Sequence, residues 1–472
     1  DEKAYLCTPF IQITKILMDI VMDYGKASVS KLFKKLFFPT VLGMLFSALF
    51  IITDGIFVGQ GLGSDALAAI NIVAPIWLFS TGVGLMFGMG GAIVASIHLS
   101  RGQSKMARVN LTQAIVVSSV FLVVFSTVLC LFPAPVCRAL GSSDLLLPYA
   151  IDYMLGFVPF IAINAILSSG GFFLRLGGAP KYSMFCVIVA AILNVILDYL
   201  FIFVFEFGIY GAAIASILGS VGGATMILIY LFNKKNTLHF LPFKINIKNI
   251  VFTFRECKYM CQLGMSSFLC EATIACMMLV GNFVFMQYLG ENGVAAFSIT
   301  CYFSPLIFML FAAIAQSTQP IISYNYGINN KIRVAQALIL ALKAGVICGA
   351  IFSIVTFIFS PQIVLMFLAA DSGAYQIAVN GLPIFALGFV FNAVNVIAIG
   401  YFQSVERIES ATCTTVLRGF VFIVACFFIL PTLFGITGIW LAIPVAEVLT
   451  LILIVILYLY QHRAVKRAVA HK

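Results

Sequence analysis

"FFPTVLGMLFSALFIITDGIFVG", Phe37 to Gly59, carries a single charged residue, Asp54, in an otherwise apolar run. A helix rises about 1.5 Å per residue, so a run of this length crosses a ~30 Å hydrocarbon core, which needs about 20 residues. Eleven further runs of the same kind follow, the last near 436–460. Of the 472 residues, 62% are hydrophobic and only 9% charged, where soluble domains carry roughly 25%. The runs are too long and too solidly apolar for the ~10-residue alternating strands of an outer-membrane barrel. The expected fold class is an all-α polytopic membrane protein with twelve transmembrane helices.

The net charge of +10 is explained by its placement. Lys31, Lys34 and Lys35 precede the first run, and bases recur in alternate loops (Arg101, Lys105 and Arg108; Arg175 and Lys181; Lys234, Lys235, Arg255 and Lys258; Lys331 and Arg333; Arg407) and in the tail at Arg463, Lys466 and Arg467. The intervening loops hold Asp65, Asp144, Glu206, Glu291 and Asp371, with Arg138 their only base. This is the positive-inside pattern. It places both termini in the cytoplasm and argues against a nucleic-acid partner. The expected location is the bacterial inner (plasma) membrane, with the lipid bilayer as the principal surrounding. Residues 1–36 do not read as a signal peptide, because Lys, Asp and Glu interrupt any apolar core. An amphipathic helix on the cytoplasmic face is expected around Ile11–Val21. The 12 cysteines form no CxxC pair, so they read as packing residues rather than a disulfide or zinc framework. The four histidines are scattered, and neither HExxH nor GxSxG occurs, so the chain does not read as an enzyme and calls for no cofactor.

An internal repeat organises the runs. "LGSDALAA" (Leu62–Ala69) resembles "LGENGVAA" (Leu289–Ala296), and "FGIYGAAIA" (Phe207–Ala215) resembles "FGITGIWLA" (Phe434–Ala442), both at an offset of 227 residues, while "GFF" at Gly171 matches "GYF" at Gly400 at 229; chance similarity of apolar sequence is the plainer alternative. Two six-helix lobes are therefore expected, 37–232 and 259–460, with a cytoplasmic N-terminal segment 1–36, a cytoplasmic linker 233–258 and a tail 461–472. Six is even, so both halves enter the membrane in the same direction, related by a parallel pseudo-two-fold repeat.

Asp54 lies in the outer half of the first run, where insertion of an aspartate costs roughly 2.5–3.5 kcal/mol at a helix centre. It is either shallow enough to reach the interface or retained for a purpose. "AILNVILDYLF" places Asn194 and Asp198 four residues apart, hence on one helical face, and "GAAIASILGS" adds Ser216. These oxygens suit a hard cation, and the same set can take a proton; a structural hydrogen-bond network is the plainer alternative. The second half has Val421 and Ala425 at the places matching Asn194 and Asp198. Its acidic residues are instead Glu271 and Glu447, each placed either to line a substrate cavity or to pair with a base such as Arg418. Gln316, near Pro320 in "AQSTQPIISYNYG", and Asn164 complete the cavity candidates. Pro320 suits a bend at a gate or a merely structural kink. The glycines of "GVGLMFGMGGA" (Gly82–Ala92) sit mid-run without GK[ST], which argues for close helix packing rather than a phosphate loop.

"IITDGIFVGQGLGSDALAAI", "FFLRLGGAPK", "LNVILD" and "IAQSTQPIISYNYG" together resemble the multidrug and toxic compound extrusion (MATE) family, and within it the bacterial MepA-like branch. The similarity runs from about Phe37 to Tyr460. It implies two six-helix lobes, alternating access, and export of organic cations against a Na+ or H+ gradient. In related members an aspartate of helix 1, an Asn and Asp of helix 5 and a hydroxyl of helix 6 form the coupling-ion site, matched here by Asp54, Asn194, Asp198 and Ser216. If sodium is the coupling ion, Asp54 and Asp198 would be its carboxylate ligands. The chain departs from the pattern at Gly55, where the branch often has Arg, and at Ser216, where some members have threonine. The expected function is a secondary active multidrug efflux transporter, acting as a monomer on small-molecule organic cations. A flippase for lipid-linked precursors, which shares a related architecture, is the alternative.

Overall fold

The computed structural model describes residues 22–242, 247–368 and 370–470; the helix expected around Ile11–Val21 lies outside them. Among the described residues every regular element is a helix. Nine are long and apolar enough to cross a membrane, or up to ten when the pair Gly373–Ala386 and Phe389–Ser404, bent by 46°, counts as one span. The chain is a polytopic α-helical membrane protein.

The polypeptide forms two compact units. One comprises the chain up to Phe268 together with Ser323–Arg333; the other comprises Leu269–Ile322 and the chain from Val334 onward. The first unit contains α1 (Val29–Leu62), α2 (Ser64–Ser100), α3 (Ser104–Leu131), a short α4 (Pro133–Ala139), α5 (Leu147–Phe157), α6 (Ile161–Leu176), α7 (Pro180–Tyr199) and α8 (Gly208–Phe232). In it α7 packs along α1 and α8, and α2 along α3 and α6. Glycine sets how closely these helices approach. A Cβ at Gly219 would lie 2.7 Å from the Ala190 carbonyl oxygen and 2.9 Å from the Asn194 Cβ, so bare backbone is what seats α8 against α7. A Cβ on Gly90 would strike the Met260 carbonyl, and one on Gly264 would strike that of Met86. The glycine series Gly82–Ala92 thus serves close packing, as its composition suggested. Phe38, Leu45, Leu49 and Ile52 of α1 stay exposed, as a hydrocarbon-facing surface requires.

Helix α9 (Ile247–Gly327) is 81 residues long, several times the ~20 residues of one crossing. It keeps helical geometry through Pro320 but is broken at Gly290, where φ is 61°. The second unit adds α10 (Lys331–Ile358), α11 (Ser360–Leu365), α12 (Gly373–Ala386), α13 (Phe389–Ser404), α14 (Ile408–Val416) and α15 (Ile423–Ala470), the last broken at Gly435. Its core is aromatic: Phe285 stacks on Phe297 with centroids 4.5 Å apart and meets Trp440 edge-on at 4.9 Å.

The repeat is visible in the backbone. Gly63 and Gly290 both adopt left-handed φ, 89° and 61°, and so do Gly208 and Gly435, 63° and 58°. Each pair is separated by the 227 residues that relate the sequence motifs. Only glycine takes such a φ at no steric cost, and in both halves it marks where one helical direction gives way to the next.

Candidate functional site

In the first unit, α1, α7 and α8 converge on a polar cluster. Asn194 and Asp198 share one face of α7 and are fully buried; Ser216 of α8 is buried beside them. The Asn194 Nδ2 donates to the Ser216 Oγ at 3.4 Å, and that hydroxyl donates to the Asp54 Oδ1 at 3.3 Å. A hydrogen-bonded line therefore joins three helices through the Gly219 contact that brings α8 onto α7. Directly after Asp198 the helix widens into a π turn, Leu200–Val204, a departure frequent at functional sites.

The cluster is under-satisfied. Both carboxylate oxygens of Asp198 and the Asn194 Oδ1 are buried with no hydrogen-bond partner. Buried polar groups are as a rule paired, and a charge shielded from water is costly unless compensated. With the half-buried Asp54 carboxylate, these acceptors offer what a hard cation or a proton supplies. Among the described residues no group of three or more His, Cys, Asp or Glu could hold a metal ion, so a cation here would rest on two carboxylates, an amide and a hydroxyl. Tyr153 of α5, buried, lies within electrostatic reach of both Asp54 and Asp198. Tyr153 was not singled out by sequence, because a lone tyrosine in an apolar run carries no signal that separates it from an interface aromatic.

The other candidates sit on other elements. Asn164 of α6 donates to the Thr81 hydroxyl at 3.0 Å. Gln316 and Glu271 are half-buried along the part of α9 that belongs to the second unit. Glu447 of α15 pairs with Arg418, whose Nε lies 3.0 Å from each carboxylate oxygen and whose Nη2 lies 2.8 Å from Oε1. The Asn392 and Asn395 amides of α13 donate to the same carboxylate at 3.0 and 2.7 Å. Arg418 sits in a second π turn, Leu417–Phe422. Asn392 and Asn395 were not singled out by sequence, although their i, i+3 spacing within an apolar run is a usable signal.

The positions 227 residues beyond the first cluster are Gly281, Val421, Ala425 and Ile443. The place of a carboxylate at Gly281 is closed by the Phe297 ring. The Asp54–Asp198 cluster thus has no counterpart at the matching positions of the second unit.

The chain resembles known proteins over most of its length. The chain is 24% identical over 445 residues to the multidrug export protein MepA of Staphylococcus aureus strain MRSA252, covering 93% of this chain and 96% of that protein. It is 26% identical over 448 residues to MepA of strain NCTC 8325. Among solved structures, an outward-facing multidrug resistance MATE family transporter of the MOP superfamily superposes with a TM-score of 0.85 at 21% identity, covering 95% of this chain and all of that one. A MOP superfamily transporter from Pyrococcus furiosus, described as having a binding pocket of reversed polarity, superposes at 0.83 and 21% identity, over 95% and 100% of the two chains. The MatE family model matches residues 39–200 and 267–429. With well over half of its residues matched by that model, the chain belongs to the MatE family.

Proposed function

We propose that this chain is a secondary active multidrug efflux transporter of the inner membrane, exporting amphipathic organic cations in exchange for Na+ or H+ by alternating access. It is not an enzyme on this reading and uses no cofactor. The observation that carries the coupling site is the pair Asp54 and Asp198 joined through Ser216 and Asn194, with three buried oxygens left unpartnered. A permanent structural network would be expected to satisfy its members. One that must load and release an ion is left short of partners in one of its states. The ion drives export only if it favours one conformation over another; equal affinity for both would shift nothing.

The flippase alternative calls for uncompensated bases to meet a pyrophosphate. Arg418, the clearest base well inside a span, is neutralised by Glu447, which supports the drug-export reading instead.

Efflux of ethidium from energised cells tests the proposal, with sodium and pH gradients imposed separately and Asp54→Asn compared with wild type at equal expression. One gradient should drive wild-type efflux and so name the ion, while Asp54→Asn retains membrane insertion but loses gradient-driven export about tenfold or more, the scale of one charge-assisted interaction. Export by Asp54→Asn at the wild-type rate would sink the coupling role.

A further inference from the structure

We propose that the strap Met22–Ser28 is a releasable latch, which fastens the α9–α10 turn to the first unit when closed and lets it go in each export cycle. The strap runs without helical structure into α1, the helix that carries Asp54. Met22 lies on the α6–α7 turn, where a Cβ at Gly178 would come within 3.4 Å of the Met22 nitrogen. The Tyr24 hydroxyl donates to the Arg175 carbonyl at 2.7 Å, and the Asp23 Oδ1 turns the chain by accepting from the Gly25 and Lys26 amides at 3.0 Å each.

Past that turn the acceptors of the strap meet one base. Arg333 donates through Nη2 to the carbonyls of Tyr24, at 2.9 Å, and of Ala27, and through Nε to the Asn325 Oδ1 at 3.0 Å. The fully buried Asn325 donates its Nδ2 to the same Tyr24 carbonyl at 3.0 Å. The Tyr24 and Tyr324 rings meet with centroids 5.8 Å apart. Such a closure is built to open. Met22 and Tyr24 are buried, but Asp23, Lys26 and Ser28 are exposed, and segments with few buried apolar groups open at low free energy. Arg333 is only half-buried, so its guanidinium passes into water on release without stranding a buried charge. The turn also has a special place in the chain. Ser323–Arg333 belongs to the first unit, yet the chain enters it from the second unit after Ile322 and returns there at Val334. The strap therefore ties the helix bearing Asp54 to a connection that leads out of its unit. Its role in the cycle rests on the export reading; its opening does not.

Two measurements test the latch on the purified full-length protein. The first is hydrogen–deuterium exchange in lipid nanodiscs, read without drug or gradient. Peptides covering Met22–Ser28 and Ser323–Asn330 should become exchangeable together, about tenfold or more faster in Arg333→Gln, while Gly82–Ala92 exchanges as in wild type. Arg333→Lys, which keeps the charge but not the fork, should fall between. The second measurement locks the latch. A Cβ at Gly25 would lie 3.9 Å from the Ile328 Cδ1, so Gly25→Cys with Ile328→Cys can be bridged by a short bis-methanethiosulfonate, the bridge being mapped by peptide analysis. In proteoliposomes, gradient-driven ethidium export should fall at least about tenfold on bridging and return when a reductant cleaves the bridge, with equally treated wild type unaffected. Export at the wild-type rate by the bridged protein would overturn the proposal, and so would strap exchange that Arg333→Gln leaves unchanged. If Arg333→Gln fails to fold, the bridged protein decides. Wild type that exports ethidium under neither gradient would sink the export reading instead, and the latch would then stand or fall on the exchange rates.

Discussion

Glu447 is held by Arg418, Asn392 and Asn395 at 2.7–3.0 Å in a setting where its side chain and that of Arg418 are 3% and 5% exposed. Removing one partner of such a pair strands a buried charge, which costs about 3–5 kcal/mol, whereas replacing both with apolar residues of similar volume is often neutral. Glu447→Leu should therefore lower the midpoint of thermal unfolding sharply, and Arg418→Met combined with Glu447→Leu should restore most of the loss. A double variant no better than the single one would show that the pair is not the source of the effect. The first cluster behaves differently, because its acceptors are already unsatisfied. Asp198→Asn should leave the unfolding midpoint within a few degrees of wild type or raise it, since it removes an uncompensated charge, while abolishing gradient-driven efflux. The pairing of Asn194 with Asp198 on one face was legible from spacing within a single helix. Whether Glu447 meets Arg418 was not. Those residues lie 29 positions apart on separate helical segments, and periodicity within one run carries no information about contacts across helices.

At the scale of the helices, close approach rather than capping organises the packing. Gly264→Val should prevent stable insertion, because its side chain would collide with the Met86 backbone; accumulation of the variant in membranes, measured by immunoblot, checks this. Gly55→Ala meets nothing within 4 Å and should be tolerated or stabilise the helix by up to ~1 kcal/mol. Comparable loss from both substitutions would contradict the packing account. The apolar runs located the helices well because every residue facing lipid must be apolar and every backbone group must be bonded within the segment. Their breaks were harder to read. The run at 376–400 appeared continuous in sequence, yet it bends by 46° between Ala386 and Phe389. Pro383 withholds a backbone donor there, and the chain passes through Leu387 and Gly388 in tight i to i+3 turns. Conversely, Pro320 suggested a bend, and α9 stays helical through it. A proline permits a kink, but its neighbours decide whether one forms.

For the whole molecule, the charge distribution makes a topological prediction. Lys234→Cys, in the basic loop after α8, should react with a membrane-impermeant maleimide only from the cytoplasmic side, and Glu291→Cys, beside the Gly290 break, only from the outside. Labelling of both from one side would refute the positive-inside reading. The repeat was legible because Gly63 and Gly290, and Gly208 and Gly435, must be glycine to hold left-handed φ, so selection on backbone geometry left matching motifs. The divergence of the two halves was partly legible, in Val421 and Ala425 standing opposite Asn194 and Asp198. The charge-balanced group that the second unit holds instead was not, because it is assembled from α13, the π turn at Arg418 and α15. The central claim is that drug export is coupled to an ion bound at the Asp54–Asp198 cluster. Its most direct test is ion movement in proteoliposomes of the purified protein, followed with radioactive sodium and a pH-sensitive dye as an ethidium gradient is imposed. The account predicts ethidium-dependent counterflow of one of these ions in wild type and none in Asp54→Asn; ion flux that ignores ethidium, or counterflow that survives in Asp54→Asn, would contradict it.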